Sequence, residues 1–119
     1  MKTFPELLQQ ANAEIKSITA IELHEEKIIK ICIIILSEGV IEGSINVPRG
    51  MLEFHADQRD DNPFRVPEIN TEKKIVLYCG VGGQSALSTK TLQDMGFDNV
   101  YNLTGGANGW EEAGFNLKK

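Results

Sequence analysis

The chain has 119 residues and a mass of 13.2 kDa, one domain's worth of polypeptide, enough to bury roughly two-thirds of its unfolded surface without metal or disulfide staples. Apolar residues make up 41% and charged residues 24%, which removes the compositional support for disorder, collagen and coiled coil. The net charge of -5, from 12 Lys+Arg against 17 Asp+Glu, comes with no basic stripe suited to a phosphate backbone, so nucleic acid is not an expected partner.

The first residues spell Phe4-Pro5-Glu6-Leu7-Leu8, and Leu7, Leu8, Ala11 and Ile15 recur at helical spacing. Pro5 suits a first helical turn, so an amphipathic helix is expected over 5–16, packed across a sheet. Glu6, Gln9, Gln10 and Asn12 interrupt any signal-peptide core. Thr19-Ala20-Ile21-Glu22 has the form of a capping box, predicting a short helix through Leu23 and His24, with Ile18 before it in a short strand. Residues Ile28 to Leu36 are almost continuously β-branched, the pattern of a strand covered on both faces in a parallel sheet. Its apolar run from Ile31 to Leu36 is about six residues, far short of the roughly 18 of a membrane span. Membrane association is therefore not expected, and a cytoplasmic location is.

Ile45-Asn46-Val47 reads as a third strand closed by Pro48, Lys74 to Tyr78 as a fourth and Val100 to Leu103 as a fifth. Between the last two, Ala86, Leu87, Leu92 and Met95 predict a helix over 85–95 that stops at Gly96. That is a βαβ unit, and mostly parallel sheets flanked by helices place their sites at the carboxyl ends of strands. Cys79 lies at one such end. The stretch His55 to Glu72 is polar, holds Pro63 and Pro67 and carries Asp57, Asp60 and Asp61. It reads as a long mobile flap near the site.

Cys32 and Cys79 are too few for a disulfide framework, and neither belongs to a C-x-x-C pair. Reduced thiols are expected, with Cys32 as core filling among isoleucines. Cys79 stands differently, because Gly80-Val81-Gly82-Gly83-Gln84-Ser85 follows it. Glycines at 80, 82 and 83 allow a tight turn with N–H groups pointing inward, and the following helix adds the partial positive charge of its N-terminus. Both favour thiolate over thiol and make Cys79 a candidate nucleophile. The competing reading is a small buried cysteine at a strand end.

Tyr78-Cys79-x-x-Gly82-Gly83-x-Ser85-Ala86-Leu87, then Lys90 to Phe97, then Val100-Tyr101-Asn102-Leu103-x-Gly105-Gly106-x-x-x-Trp110, resembles a single-domain rhodanese-like sulfurtransferase. Gly43-x-Ile45-Asn46-Val47-Pro48-Arg49-Gly50 is similar to the family's upstream segment. The resemblance implies one rhodanese-like domain over 1–119 with a three-layer α/β architecture, a central five-stranded, mostly parallel sheet flanked by helices. It also implies Cys79 as the persulfide-forming nucleophile and residues Gly80, Val81, Gly82, Gly83, Gln84 and Ser85 as its backbone cradle. Arg49 stands where the family has a basic residue near the site and is a candidate for donor binding. A solvated residue at a helix start is the alternative.

The implied reaction moves sulfane sulfur from a small-molecule donor such as thiosulfate or a persulfide to cyanide or a thiol, including a protein thiol, with no cofactor and no metal. Two departures bear on activity. Gln84 stands where the family usually carries arginine, and the segment 36–43 is short and lacks the usual His-x-Pro. Both point to reduced activity, and a weakened sulfur-carrier or binding module is the alternative reading. The cysteine-plus-loop layout also invites a phosphatase reading, but that mechanism leans on a closing arginine where Gln84 stands. His24 and His55 lack ligand-spaced partners and read as surface or capping residues. Trp110 is expected to pack on the sheet, with Gly105-Gly106 as the turn that feeds its helix.

Overall fold

A computed structural model of the chain describes residues 1–26, 28–33 and 39–118. Helix α1, Phe4–Glu14, opens where the Thr3 hydroxyl accepts from the Glu6 N–H at 3.3 Å and Pro5 fixes the first turn. It ends two residues short of the expected 16, because Lys16–Ile18 are drawn into strand β1 and pair with the sheet. Helix α2, Ala20–Glu25, carries the expected capping box: the Thr19 hydroxyl accepts from the Glu22 N–H at 3.2 Å, and the Glu22 carboxylate accepts from the Thr19 N–H at 3.0 Å.

Strand β2 occupies Ile29–Cys32 of the long β-branched run, and Ile33 continues it as a buried residue. The remainder of that run, and residues 36–38 of the short 36–43 segment, lie outside the described residues. Strand β3 is Ile45–Asn46, and the Val47 N–H donates to the Cys32 carbonyl at 2.9 Å. A 3-10 turn over Arg49–Met51 leads into α3, Leu52–Ala56. Strand β4, Ile75–Tyr78, is followed by α4, Gly83–Asp94, then β5, Val100–Leu103, and α5, Gly106–Glu112. Gly96 ends α4 at φ +102, the left-handed conformation that only glycine takes without strain.

The sheet runs β1-β5-β4-β2-β3 with every pair parallel. Strand alternation splits the core in two. Val76 and Tyr78 join Cys32, Leu103 and Trp110 under α2 and α5, whereas Ile75 and Leu77 join Ile31, Leu52, Leu92 and Val100 under α3 and α4. This is the three-layer α/β architecture that the resemblance implied. β4 is buried at all four positions, so its carboxyl end delivers Cys79 to the middle of the upper edge of the sheet.

Two expectations need correction. α1 packs on α4 and forms an outer layer, because α3 and α4 already cover that face of the sheet; of its residues only Ala11 is buried, and Phe4 and Leu7 stay exposed. The segment 57–72 is an anchored loop and not a flap. Ile69 is fully buried in the core, the Gln58 amide donates to the Ala56 and Ile69 carbonyls at 2.7 and 2.8 Å, and Asn62 donates to the Phe54 carbonyl at 2.7 Å. Its side chains supply the partners that strand neighbours would otherwise give.

Tyr78 ties the turn over 41–44 to the sheet. Its hydroxyl accepts from the Ile41 N–H at 3.0 Å and lies 2.6 Å from Ser44 Oγ. Burial pushes this phenol up to about 12 from 10.0. Because the folded value is the higher one, the stabilisation is complete below pH 10.0 and is lost as pH rises toward about 12. Tyr78→Phe leaves the Ile41 N–H without that acceptor, so denaturant unfolding at neutral pH should show a loss of about 1–3 kcal/mol. The same substitution should flatten the alkaline fall in stability.

Candidate active site

Cys79 follows β4 directly and is 2% exposed. Its sulfur sits above the first turn of α4. The Gly82 N–H donates to Cys79 Sγ at 3.1 Å, and the Ser85 hydroxyl oxygen lies 3.5 Å from it. Gly82 caps α4 at φ +105 and packs on β5, where an added Cβ would lie 3.6 Å from the Leu103 carbonyl oxygen. The left-handed turn lets the chain reverse within three residues and aim its N–H groups at the strand it has just left.

The opposite face of this turn is fixed by α5. The Ala107 N–H donates to the Cys79 carbonyl at 2.8 Å, and the Asn108 N–H donates to the Gly80 carbonyl at 3.0 Å. With both carbonyls held by the first turn of α5, the N–H side of the loop is left facing the sulfur. Gly106, at φ +58, makes this approach possible: a Cβ there would press on the Cys79 carbonyl oxygen and would lie 2.8 Å from the Gly80 carbonyl carbon.

Burial pushes the Cys79 thiol up, but hydrogen bonds outweigh it. The Ser85 hydroxyl and the backbone N–H groups of Ser85, Gly82 and Val81 together hold the thiol below its ordinary value. A thiol whose folded pKa is depressed stabilises the fold fully above its unfolded value, and that contribution is lost as pH falls through the folded one. The electrostatic result is a buried sulfur biased toward its nucleophilic form.

The structure brings Gly80, Val81, Gly82, Gly83, Gln84 and Ser85 together around Cys79, with Gly83, Gln84 and Ser85 in the first turn of α4 instead of a preceding loop. Ser85 is fully buried, whereas Val81 is 69% exposed and Gln84 is exposed at the rim of the loop. Arg49 goes elsewhere: its guanidinium donates to the Thr91 hydroxyl at 3.2 Å, two helical turns along α4 from the loop. Cys32 is fully buried opposite Tyr78 in the sheet. His24 stacks on Phe115 at 4.0 Å, His55 Nδ1 meets the Phe64 carbonyl at 2.7 Å, and Trp110 packs between α5 and the sheet with its indole N–H on the Asn116 carbonyl.

One residue of the site, Asn102, is not marked as a site residue by any local sequence motif. Asn102 on β5 is buried, and its Oδ1 accepts from the Ser85 hydroxyl at 2.6 Å. The available signal was a polar residue in an otherwise apolar strand one position before Leu103. Beside the loop a cleft of about 240 Å³ is lined by Leu8, Ser17, Val81, Gly82, Asn102 and Thr104. No group of three or more His, Cys, Asp or Glu side chains suited to a metal occurs among the described residues. No helix of the described residues is long and apolar enough to cross a membrane.

Gly106→Ala tests how the loop is held. Forcing the α5 N-terminus off the Cys79 carbonyl should lower stability by about 1–3 kcal/mol in denaturant titrations. It should also move the pH midpoint of Cys79 alkylation upward, toward that of an ordinary thiol.

Comparison with known proteins places these features in context. The family model described as a rhodanese-like domain matches residues 8–113. Thiosulfate sulfurtransferase GlpE of Actinobacillus pleuropneumoniae is 31% identical over 65 residues, 55% of this chain and 59% of the relative. GlpE of Shewanella oneidensis is 35% identical over 78 residues, 65% of this chain and 66% of the relative. The chain thus spans 59–66% of the length of these curated relatives. Among solved structures, a protein of unknown function from Rhodopseudomonas palustris, described as a possible tyrosine phosphatase, is similar at a TM-score of 0.89 and 33% identity, covering 99% of this chain and 96% of that one. A thiosulfate sulfurtransferase from Pseudomonas aeruginosa shares the fold at a TM-score of 0.74 and 22% identity, covering 94% of this chain and 22% of that one.

Proposed function

The chain belongs to the rhodanese-like domain family, and on that footing we propose that it is a sulfurtransferase that carries sulfane sulfur as a persulfide on Cys79. The observation that carries the reading is the sulfur itself: a buried Sγ that accepts from the Gly82 N–H at 3.1 Å, above the first turn of α4. The Cys79 thiolate attacks the outer sulfur of the donor, the donor's S–S bond breaks, and its remainder leaves with the electron pair, as sulfite when the donor is thiosulfate. The outer sulfur of the persulfide then carries the negative charge, which the inward N–H groups of residues 80–85 stabilise. Attack on that sulfur by cyanide or an acceptor thiol breaks the new S–S bond and returns Cys79 as thiolate. Both cysteines carry thiols, as a reducing compartment such as the cytoplasm would keep them.

Residues 80–85 carry no charge, and Arg49 is engaged by Thr91. We therefore expect a neutral persulfide to be a better donor than dianionic thiosulfate. Gln84→Arg places a fork-shaped cation at the mouth of the loop, and a charged hydrogen bond in a partly desolvated site is worth about 1.5–3 kcal/mol. The measurement is steady-state kinetics with both donors: kcat/KM for thiosulfate should rise about 10- to 150-fold, with a smaller change for neutral persulfides.

The Rhodopseudomonas palustris relative favours a second reading, phosphomonoester hydrolysis. Phosphoryl transfer by a cysteine needs a cation for the charge on the equatorial oxygens, and residues 80–85 supply none. Sulfur transfer is therefore the reading we adopt. Intact-mass analysis after incubation with thiosulfate or polysulfide should show a gain of about 32 Da, one sulfur atom, that Cys79→Ser abolishes and Cys32→Ser retains. Turnover of an aryl phosphate without any such adduct would replace this reading with the second one.

A further inference from the structure

Asn102 is 5% exposed, and both of its amide atoms are spent on the groups that hold Cys79. Its Oδ1 accepts from the Ser85 hydroxyl at 2.6 Å, and its Nδ2 donates to the Gly82 carbonyl at 3.3 Å. Gly82 and Ser85 both hydrogen-bond to Cys79 Sγ, at 3.1 and 3.5 Å. The Ser85 hydroxyl, however, has a single proton. It cannot serve Asn102 and the sulfur at once.

Beside a neutral thiol, the short bond to Asn102 holds that proton, and the S–H can donate to the oxygen it leaves open. Beside a thiolate, a charge-assisted bond, roughly twice as strong as a neutral one, draws the proton to sulfur. We infer that Asn102 is a positioning residue that competes with the Cys79 thiolate for the Ser85 proton, so that Ser85 works as a two-position donor. Ionisation of the empty thiol then gives up the Asn102 bond. If Cys79 carries sulfur, a step that rests on the proposed function, the charge moves to the outer atom and the hydroxyl returns to Asn102. The competition thus favours the loaded state over the bare thiolate.

Among the described residues, the groups around Cys79 and its turn include Ser85 from α4, Asn102 and Leu103 from β5, Gly105, and Gly106 and Ala107 from α5. None of these side chains is charged. The leading hydrogen bonds that lower the thiol come from Ser85, Gly82 and Val81.

The test uses the unloaded protein, so its outcome does not depend on sulfur transfer. The rate of iodoacetamide alkylation of Cys79 is followed by mass against pH in wild type, Asn102→Leu, Ser85→Ala and the double variant, each first checked for a cooperative thermal transition. Asn102→Leu frees the Ser85 proton for sulfur and should lower the pH midpoint, with alkylation about 2- to 12-fold faster below it. In the Ser85→Ala background the same substitution should change the rate by less than about twofold. Asn102→Val, smaller and suited to a strand, gives the same reading where leucine disturbs the sheet. An unchanged or raised midpoint with Ser85 intact, or an equal acceleration in both backgrounds, overturns the inference.

Discussion

The orientation of the peptides after Cys79 is the constraint on which the site depends. A peptide presents its N–H on one side and its carbonyl on the other, so a loop can offer N–H groups to a sulfur only if something else accepts the matching carbonyls' demand for donors. Here the first turn of α5 meets that demand through Ala107 and Asn108. The same helix turn leaves its own N–H groups unpaired by intrahelical bonds, so two deficits satisfy each other. Gly106 is the residue that lets the two backbones come close enough.

The sheet order makes this meeting possible. β4 and β5 are adjacent and parallel, so the turn after one lies beside the turn after the other, and both are followed by helix N-termini. One terminus, that of α4, faces the sulfur and the other, that of α5, faces the carbonyls. The two helices lie on opposite sides of the sheet, and the central position of β4 keeps water from reaching the thiol from below. Burial alone would raise the thiol; the hydrogen bonds reverse that effect. The site is therefore a local contest that the backbone wins, without a charged side chain in the loop.

What was legible in the sequence was local. The capping box at Thr19 and Glu22, the helix stop at Gly96, the apolar β4 and the glycine turn after it each follow from interactions within about six residues. What escaped depends on distant partners. Ile69 sits in a polar stretch whose periodicity is broken, and only its place in the core shows that it anchors the loop. Arg49 is drawn to Thr91, 42 positions away, and Ser85 to Asn102, 17 positions away. The start of α4 at Gly83, two residues ahead of the expected 85, has a different reason: Gly83 has poor helix propensity, yet a first turn with small residues is what a close approach to sulfur demands.

The fold, and not the cysteine's exposure, sets the state of the sulfur. A thiolate titration by ultraviolet absorbance on the Cys32→Ser protein, folded and in denaturant, measures that state. The folded midpoint should lie below the denatured one, with the difference lost on unfolding. A folded midpoint equal to or above the denatured value would contradict this, since burial would then have prevailed over the loop.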